Sequence, residues 1–348
     1  MKTTRVVLTL LTFILVIPSY ATIWRVNSNP KISADFHDLQ EAIDHFSVED
    51  GDTLYLENGS YFGVTVISKP LTIIGPGYFL TENEQTYAHP FPANIQQLSV
   101  NSNGSGSKII GVQIVTGFSL GADANDVIIE RSKMSGVGPS HAWGIGVAYN
   151  LTIRNCYIAG GGISDHNASS GFNASTIHNN IILGRIYFQI PTANHNIYNN
   201  VIWHSNNDTN FAITAANSSV HNNIIIRTPF SRAEQCINFD SPQNNNSTFA
   251  RNVMTQSPHA SSPDNIWNVV KEDVFVLQAS TDKRWKLKEG SPAIGYGSNG
   301  DDCGAYGGVM PYVPSGLPML LPRIFEATIP ASGSGNMIPV HIKAKTQE

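Results

Sequence analysis

A short phrase of alternating apolar and polar residues returns along the middle of the chain. It reads TIRNCYI from Thr152, TIHNNII from Thr176, NIYNNVI from Asn196 and SVHNNII from Ser219. Each copy has an apolar anchor, a variable residue, a polar pair rich in Asn and a second apolar pair. With two looser copies, the anchors are Ile129, Ile153, Ile177, Ile197, Val220 and Phe249, and neighbouring anchors are separated by 20 to 29 residues.

This period predicts a solenoid built from strands. A repeat of twenty-odd residues is typical of solenoid proteins. The apolar residues are β-branched, as strands prefer, and they occur in short alternating runs rather than at helical spacing. We therefore predict an all-β protein, a single-stranded right-handed parallel β-helix, in which each coil contributes two or three short strands.

Two columns of Asn mark the bend between strands. The first column, two residues after the anchor, is Asn155, Asn179, Asn199 and Asn222. Asn tolerates the left-handed backbone conformation that a sharp bend needs. A second column follows directly, with Asn at 180, 200, 223 and 252. Stacked at strand spacing, such side chains can hydrogen-bond from coil to coil, and we assign the first column as this structural ladder.

The ends of the predicted coil differ from its middle. Residues 35–46 have apolar positions at helical spacing, Phe36, Leu39, Ile43 and Phe46, and Ser33 or Asp35 could cap such a helix. We expect this helix to cover the open first coil. The alternation that follows, from residue 51 to 77, predicts the opening coils. Residues 78–106 interrupt the period and should loop out of one coil.

The composition argues against a nucleic-acid-binding protein and against a disulfide-rich one. The chain has 348 residues, a formal net charge of −5 and only 14% charged residues, without a Lys/Arg cluster. This balance argues against nucleic acid as the main partner. The chain has an odd number of cysteines, Cys156, Cys236 and Cys303, and they are widely spaced. They therefore predict buried thiols rather than a disulfide framework or a metal site.

The first residues predict export. Lys2 and Arg5 precede an apolar run that is too short to span a membrane, and the small residues Ser19 and Ala21 follow it. We expect residues 1–21 to be a signal peptide, 22–308 the β-helix with its N-terminal cap, and 309–348 an extension that packs on or caps the helix. The mature chain would be secreted and monomeric, with no membrane span.

Two segments carry a family resemblance. The sequences DTLYLENGSY and KPLTIIGPG, which follow the predicted helix, resemble the start of the pectin-lyase-like family of right-handed parallel β-helix proteins. Residues 273–308 resemble the closing segment of secreted β-helix proteins of the Bacteroidetes type. The resemblance spans about Trp24 to Gly308. It implies the fold, but the family includes lyases, hydrolases, epimerases, esterases and binding proteins.

Candidate chemistry lies on the predicted third strand of each coil and the loops beside it. Trp143, Tyr187, Gln189 and Asn238 are candidates for substrate binding, with aromatic rings to stack on sugars. The candidates for catalysis are Arg185, Asp165, His166, Arg232 and Asp240. An Arg could hold a uronate carboxylate or a sulfate, and an Asp or His could act as acid or base. The same residue types also occur on ordinary surfaces.

Two other groups complete the set of candidates. Asp123, Asp126 and Glu130, near Arg131 and Lys133, are the nearest approach to the calcium cluster of a lyase. Calcium is expected only if the protein is a lyase, and no other cofactor is expected. His178 and His221 follow their anchors on the outer wall, too far apart to share one metal ion, and we expect them to be solvated.

The sequence leaves the function open between three hypotheses. The first is an exported β-helix that interacts with extracellular polysaccharide without cleaving it. The second is a polysaccharide lyase that acts on a uronate-containing glycan by β-elimination; the carboxylate set of a family hydrolase is mostly missing. The third is a structural or adhesive surface protein. Whether the protein is an enzyme is uncertain from the residues alone.

Overall fold

A computed structural model describes residues 21–139, 146–165, 167, 169–205, 210–228, 236–239, 241, 244–318, 322–330 and 337–346. The described chain is mostly strand, and its two long sheets are parallel throughout the strand pairs that build them. The predicted fold is therefore confirmed: the protein is a right-handed parallel β-helix with a short capping helix at its N-terminal end.

The described elements are these, in chain order. The helices are α1 (Leu39–Asp44) and α2 (Lys271–Val274), and the strands are β1 (Ile23–Val26), β2 (Thr53–Leu56), β3 (Gly59–Ile67), β4 (Thr72–Ile74), β5 (Ala93–Val100), β6 (Lys108–Ile110), β7 (Gln113–Ile114), β8 (Phe118–Leu120), β9 (Ile128–Glu130), β10 (Lys133–Pro139), β11 (Val147–Tyr149), β12 (Thr152–Arg154), β13 (Tyr157–Ser164), β14 (Gly171–Asn173), β15 (Ser175–His178), β16 (Ile181–Ile182), β17 (Ile186–Tyr187), β18 (His195–Tyr198), β19 (Val201–His204), β20 (Ile213–Thr214), β21 (Ser219–His221), β22 (Ile224–Arg227), β23 (Thr248–Ala250), β24 (Val253–Met254), β25 (Arg323–Thr328) and β26 (His341–Lys345).

The repeated phrase forms the first sheet, whose strand order is β1-β2-β4-β6-β9-β12-β15-β18-β21-β23. Each predicted anchor pairs with the anchor of the next coil, for example Ile153 with Ile177 and Ile177 with Ile197. These anchors are buried in one continuous apolar core. Because every anchor points inward, a shift of one residue in any coil would expose it.

The two Asn columns have different roles at the bend: the first adopts the left-handed backbone conformation, and the second forms side-chain hydrogen bonds from coil to coil. Asn155, Asn179, Asn199 and Asn222 all have a positive φ, between 51° and 56°. The ladder itself, however, runs through the second column. The side-chain Nδ2 of Asn200 donates to Oδ1 of Asn223 at 3.0 Å, and Asn180, Asn252 and Asn265 continue the chain. The sequence assigned this ladder to the first column; that assignment is corrected because Asn155, Asn179 and Asn199 donate instead to main-chain carbonyls of residues 302–310. Within the first column, Asn222 reaches Asn199 at 3.5 Å.

A second sheet forms the other walls of the coil, with β24-β22-β19-β16-β13-β10-β7-β5-β3 as its main path. Strands β8, β17 and β20 also belong to this sheet. Strands β8 and β17 pair with the C-terminal residues of β5, β10 and β13, beyond a bulge or a break in the strands, and β20 pairs with β17, so that the three form the second half of the sheet. Residues 147–149 are β11, which pairs with β14 in a separate small sheet.

The N-terminal cap is shorter than predicted. The helix α1 begins after Asp38, whose carboxylate accepts a hydrogen bond from the Glu41 N–H at 2.9 Å, and not after Ser33 or Asp35. It ends at Asp44, because the next residue, His45, is extended. Phe46 is therefore 87% exposed instead of joining the buried face. Gln40 covers the open edge of β3 by bonding Val66 N–H and C=O.

The predicted insertion at 78–106 is also shorter. Residues 93–100 are β5, in register with β3, because Ala93, Ile95, Leu98 and Val100 alternate with polar residues and are fully buried. Only the residues between β4 and β5 leave the coil. There Tyr78 joins a second apolar core outside the coil, where its hydroxyl lies 2.6 Å from that of Tyr312.

The C-terminal part runs back along the outside of the coil. Residues 269–312 contribute to the second apolar core, which covers outward side chains of β16, β19 and β22. Residues 297–318, which we name the strap, then pass over the bends of the first sheet. The later strands β25 and β26 form an antiparallel ribbon of their own. Among the described residues, no helix has the length and apolarity needed to cross a bilayer.

Candidate functional site

An uncharged row of residues runs along the axis on the outer face of the second half of the second sheet. Strand pairing places these positions side by side, one from each coil. We name them the axial row: Ser99, Ser119, Gly138, Ser164, Tyr187, Thr214 and Asn238. Ser99 and Thr214 are buried, and the other members of the row are partly exposed. At strand spacing, the six coils from Ser119 to Asn238 extend for about 25 Å, so the partly exposed members could contact an extended polymer.

Part of the axial row borders a cleft of about 440 Å³. Gln97, Thr116, Ser119, Ser135 and Ser164 line it together with several glycines, and none of its described lining residues is ionisable. Hydroxyl and amide groups can donate and accept hydrogen bonds, as sugar hydroxyls do. The cleft is therefore suited to polar, uncharged parts of a ligand.

Tyr187 and Arg185 lie at the centre of the axial row. They project from the same face, because they are two residues apart at the start of β17, and both are half-buried. The guanidinium carbon of Arg185 lies 4.2 Å from the centre of the Tyr187 ring. No acidic side chain pairs with Arg185 in the described part of the chain. The stacked cation is thus held in place and has no counter-ion among these residues.

Asp165 has a different environment from a solvent-facing acid. It is buried, and its carboxylate accepts three main-chain N–H bonds, from Phe172 at 2.9 Å, Gln189 at 2.7 Å and Ile190 at 3.2 Å. Burial raises the pKa of Asp165 to about 6, and the three N–H donors oppose that rise. Both oxygens are occupied by the loop that they hold, so the carboxylate supports the wall of the site.

The other predicted site residues divide into two sets. Gln189 is half-buried and follows Tyr187 on the same face, and Asn238 ends the axial row. The remaining candidates, Trp143, His166, Arg232 and Asp240, lie outside the described residues.

The predicted calcium ligands do not come together. Glu130 pairs with Arg154, whose Nε donates to its carboxylate at 2.6 Å, and Asp126 accepts a hydrogen bond from Asn150 at 3.0 Å. Asp123 and Asp126 adopt positive φ in a bend. Within the described ranges, no three His, Cys, Asp or Glu side chains are grouped so that they could hold a metal ion.

His178 and His221 form a stack with Tyr198 on the outer face of the first sheet. Ring centres lie 4.8 Å apart between His178 and Tyr198, and 5.3 Å apart between Tyr198 and His221, with nearly parallel planes. His178 is buried, so the expectation of a solvated histidine is wrong for it. The strap covers this wall, and burial lowers the pKa of both histidines.

The serines of the axial row were missed by sequence reasoning, although a signal exists. In the sequence ANIQQLSV the apolar residues Ile95, Leu98 and Val100 point inward, which leaves Ser99 outward. The register of β3 against β5 shifts between Tyr61 and Val64, opposite Ile95 and Gln97, and a strict two-residue period does not predict such an irregularity. The three cysteines are free and buried, as predicted, so none is available to the site.

Comparison with known proteins adds no relative. No protein-family model matches the chain, no curated protein matches it, and no solved structure matches it. The class of protein is therefore defined by the fold: an all-β parallel β-helix with long parallel sheets.

Proposed function

We propose that this protein binds an extended anionic polysaccharide along the axial row without cleaving it. The observation that carries the proposal is the Arg185 guanidinium stacked on Tyr187, a cation without an acidic partner among the described residues, within the uncharged axial row. A carboxylate or sulfate on the polymer would supply the missing counter-ion, and the hydroxyl and amide side chains of the row would bind sugar hydroxyls.

Among the described residues of the axial row there is no carboxylate or imidazole to act as a base, which supports binding over cleavage. Elimination needs a base beside the sugar and a cation to stabilise the developing charge. Arg185 could be such a cation, but Asp165 holds main-chain N–H groups with both oxygens. Among the described residues that line the 440 Å³ cleft beside the axial row, none is a base. Lyase activity is therefore the alternative that the experiment must test.

The proposal also covers the location of the protein and its family. We infer that residues 1–21 direct export, so that the protein meets its polymer outside the cell as a monomer. We also infer that the chain is a divergent member of the pectin-lyase-like family. The motifs between residues 51 and 77 and the parallel coil with Asn-marked bends support this assignment.

The test compares charged polymers with uncharged ones. Affinity would be measured for a uronate polymer, for the same polymer after carboxyl reduction, for a sulfated polymer and for neutral dextran. We expect tight binding to the uronate or sulfated polymer, and the preferred one identifies the group. Both Arg185→Gln and Tyr187→Ala should weaken binding about tenfold or more.

The matched control is Tyr149→Ala. Tyr149 is 42% exposed but lies on the small sheet, away from the axial row. This variant should bind as the wild type does. Equal affinity for charged and neutral polymers would overturn the proposal. The appearance of unsaturated uronate ends, detected by ultraviolet absorbance, would replace binding alone with lyase activity.

A further inference from the structure

A second cleft lies at the C-terminal end of the coil stack, away from the centre of the axial row. It has a volume of about 630 Å³ and lies beside β23, the last strand of the first sheet. We name it the end cleft and define it by Phe239, Asn245, Asn246, Phe249, Ser261 and Asp264. Its volume falls within the range of small-molecule sites, about 300–1,000 Å³.

The walls of the end cleft are held by buried polar contacts. Asn244, 4% exposed, donates to the Asn238 carbonyl at 2.7 Å and accepts from the Ala215 N–H at 2.8 Å. On the other wall, Asn265 donates to the Ser262 hydroxyl at 2.8 Å, and the Ser262 hydroxyl donates to the Phe249 carbonyl. These bonds form the cleft before any ligand arrives, so binding would not have to order the two walls.

Aromatic rings line the interior of the end cleft. The ring of Phe239 is half-buried, and its centre lies 5.2 Å from that of Phe249 and 5.8 Å from that of Trp267, with edge-on geometry in both pairs. His259 stacks on Phe239 with ring centres 5.0 Å apart. This packing fixes Phe239 in one orientation at the wall of the cleft.

The rim of the end cleft is polar and almost uncharged. Asn245 and Asn246 are exposed, and Ser247, Thr248 and Ser261 add hydroxyl groups. Asp264 is the one ionisable side chain among the described lining residues, and it faces Arg251 at 3.8 Å. The same lining residues include no cation, so they lack the group that an anionic ligand would need.

We propose that the end cleft binds a neutral saccharide unit. A pyranose ring has an apolar face that can pack against Phe239 and a rim of hydroxyls that match the Asn and Ser side chains. This site is independent of the proposed anionic polymer site, because it is formed by different residues and would bind an uncharged ligand. The protein would thus hold two saccharides of different charge.

The experiment is saturation-transfer NMR on the full chain with a panel of neutral methyl glycosides and disaccharides, followed by titration of those that respond. We expect at least one to bind. Ser261→Trp should fill the mouth of the end cleft and weaken that binding about tenfold or more. Ser60→Trp, at an exposed serine of β3 at the opposite end of the second sheet from β24, is the matched control and should bind normally.

Two further variants keep the result distinct from the polymer site. Asn245→Ala should weaken binding of the glycoside without altering the fold, because the Asn245 side chain is exposed. Tyr187→Ala should leave it unchanged. No response from any member of the panel would overturn the inference, and so would binding that survives Ser261→Trp.

Discussion

The side-chain Nδ2 of Asn179 lies 2.7 Å from the carbonyl oxygen of Gly307, although the two residues are far apart in the chain. The same Nδ2 also lies 3.0 Å from the carbonyl oxygen of Ala305. Other bend residues bond the strap in the same way. Arg131 donates to Leu317, Asn155 to Met310, Asn199 to Asp302 and Arg251 to Gly297, while Asn222 accepts from Ser298.

The strap bonds give the first column of Asn two roles that substitution can separate. Asn179→Gly keeps the positive φ of 54° but removes both bonds to the strap, and it should cost about 1–3 kcal/mol of unfolding free energy. Asn179→Ala should cost about 1 kcal/mol more, because alanine resists the left-handed conformation. Denaturant unfolding measures both values. Equal stability of the Gly and Ala variants would contradict the bend role.

The Asn ladder should be the most sensitive part of the coil. Asn200 is fully buried; its Nδ2 donates to the Ile177 carbonyl at 2.8 Å, and its Oδ1 accepts from Asn180 at 2.9 Å. Asn200→Ala leaves these partners without bonds and should lower the unfolding free energy by about 2–4 kcal/mol. Asn196→Ala, on an exposed position of β18, is the control and should change it by less than about 0.5 kcal/mol.

His195 should make the protein sensitive to acid. It is buried against Phe188, and burial lowers its pKa from 6.5 to about 3. The unfolded chain therefore binds a proton below about pH 6.5, whereas the folded chain does not until about pH 3. Stability falls over that window as pH drops, by up to about 1.4 kcal/mol per pH unit from this residue.

The comparison is urea unfolding of the wild type and His195→Gln between pH 7 and pH 4. The variant should lose less stability on acidification than the wild type does. His89→Gln, at an exposed histidine, is the control and should follow the wild type. Parallel pH profiles for the wild type and His195→Gln would show that the ring of His195 is not kept neutral by the fold.

Asp165 should matter for stability and not for chemistry. Asp165→Ala removes the acceptor of three main-chain N–H groups and should cost about 1–3 kcal/mol, seen as a lower melting temperature. Below that temperature the variant should still bind the anionic polymer, because Arg185 and Tyr187 are unchanged. Loss of binding by a folded Asp165→Ala protein would contradict this role.

Much of the fold could be predicted from the sequence because the repeat signals it locally. Ile177, Ile197 and Val220 each precede an Asn pair at the same distance, so the residue pattern alone aligns the anchors and the bends. The strap could not be predicted in this way. Asn179 bonds carbonyl oxygens of Ala305 and Gly307, and main-chain acceptors carry no mark in the sequence.

The candidate site was predicted less fully than the fold. The sequence predicted Tyr187 on the outer face of a strand and Arg185 in a loop beside it, but their stacking depends on side-chain geometry that spacing does not give. Asp165 has the residue type of a catalytic acid, and only its burial and its three N–H donors reveal a structural role. The end cleft depends on Phe239 and Phe249, which meet only after the last coils are packed.

The most direct test of the proposed function is a crystal structure of the protein with an acidic oligosaccharide cut from the polymer that it prefers. We expect a sugar chain along the axial row, with a carboxylate or sulfate within hydrogen-bond distance of the Arg185 guanidinium and a sugar ring against Tyr187. An oligosaccharide bound elsewhere, with Arg185 still stacked on Tyr187 and without an anionic partner, would contradict the proposal.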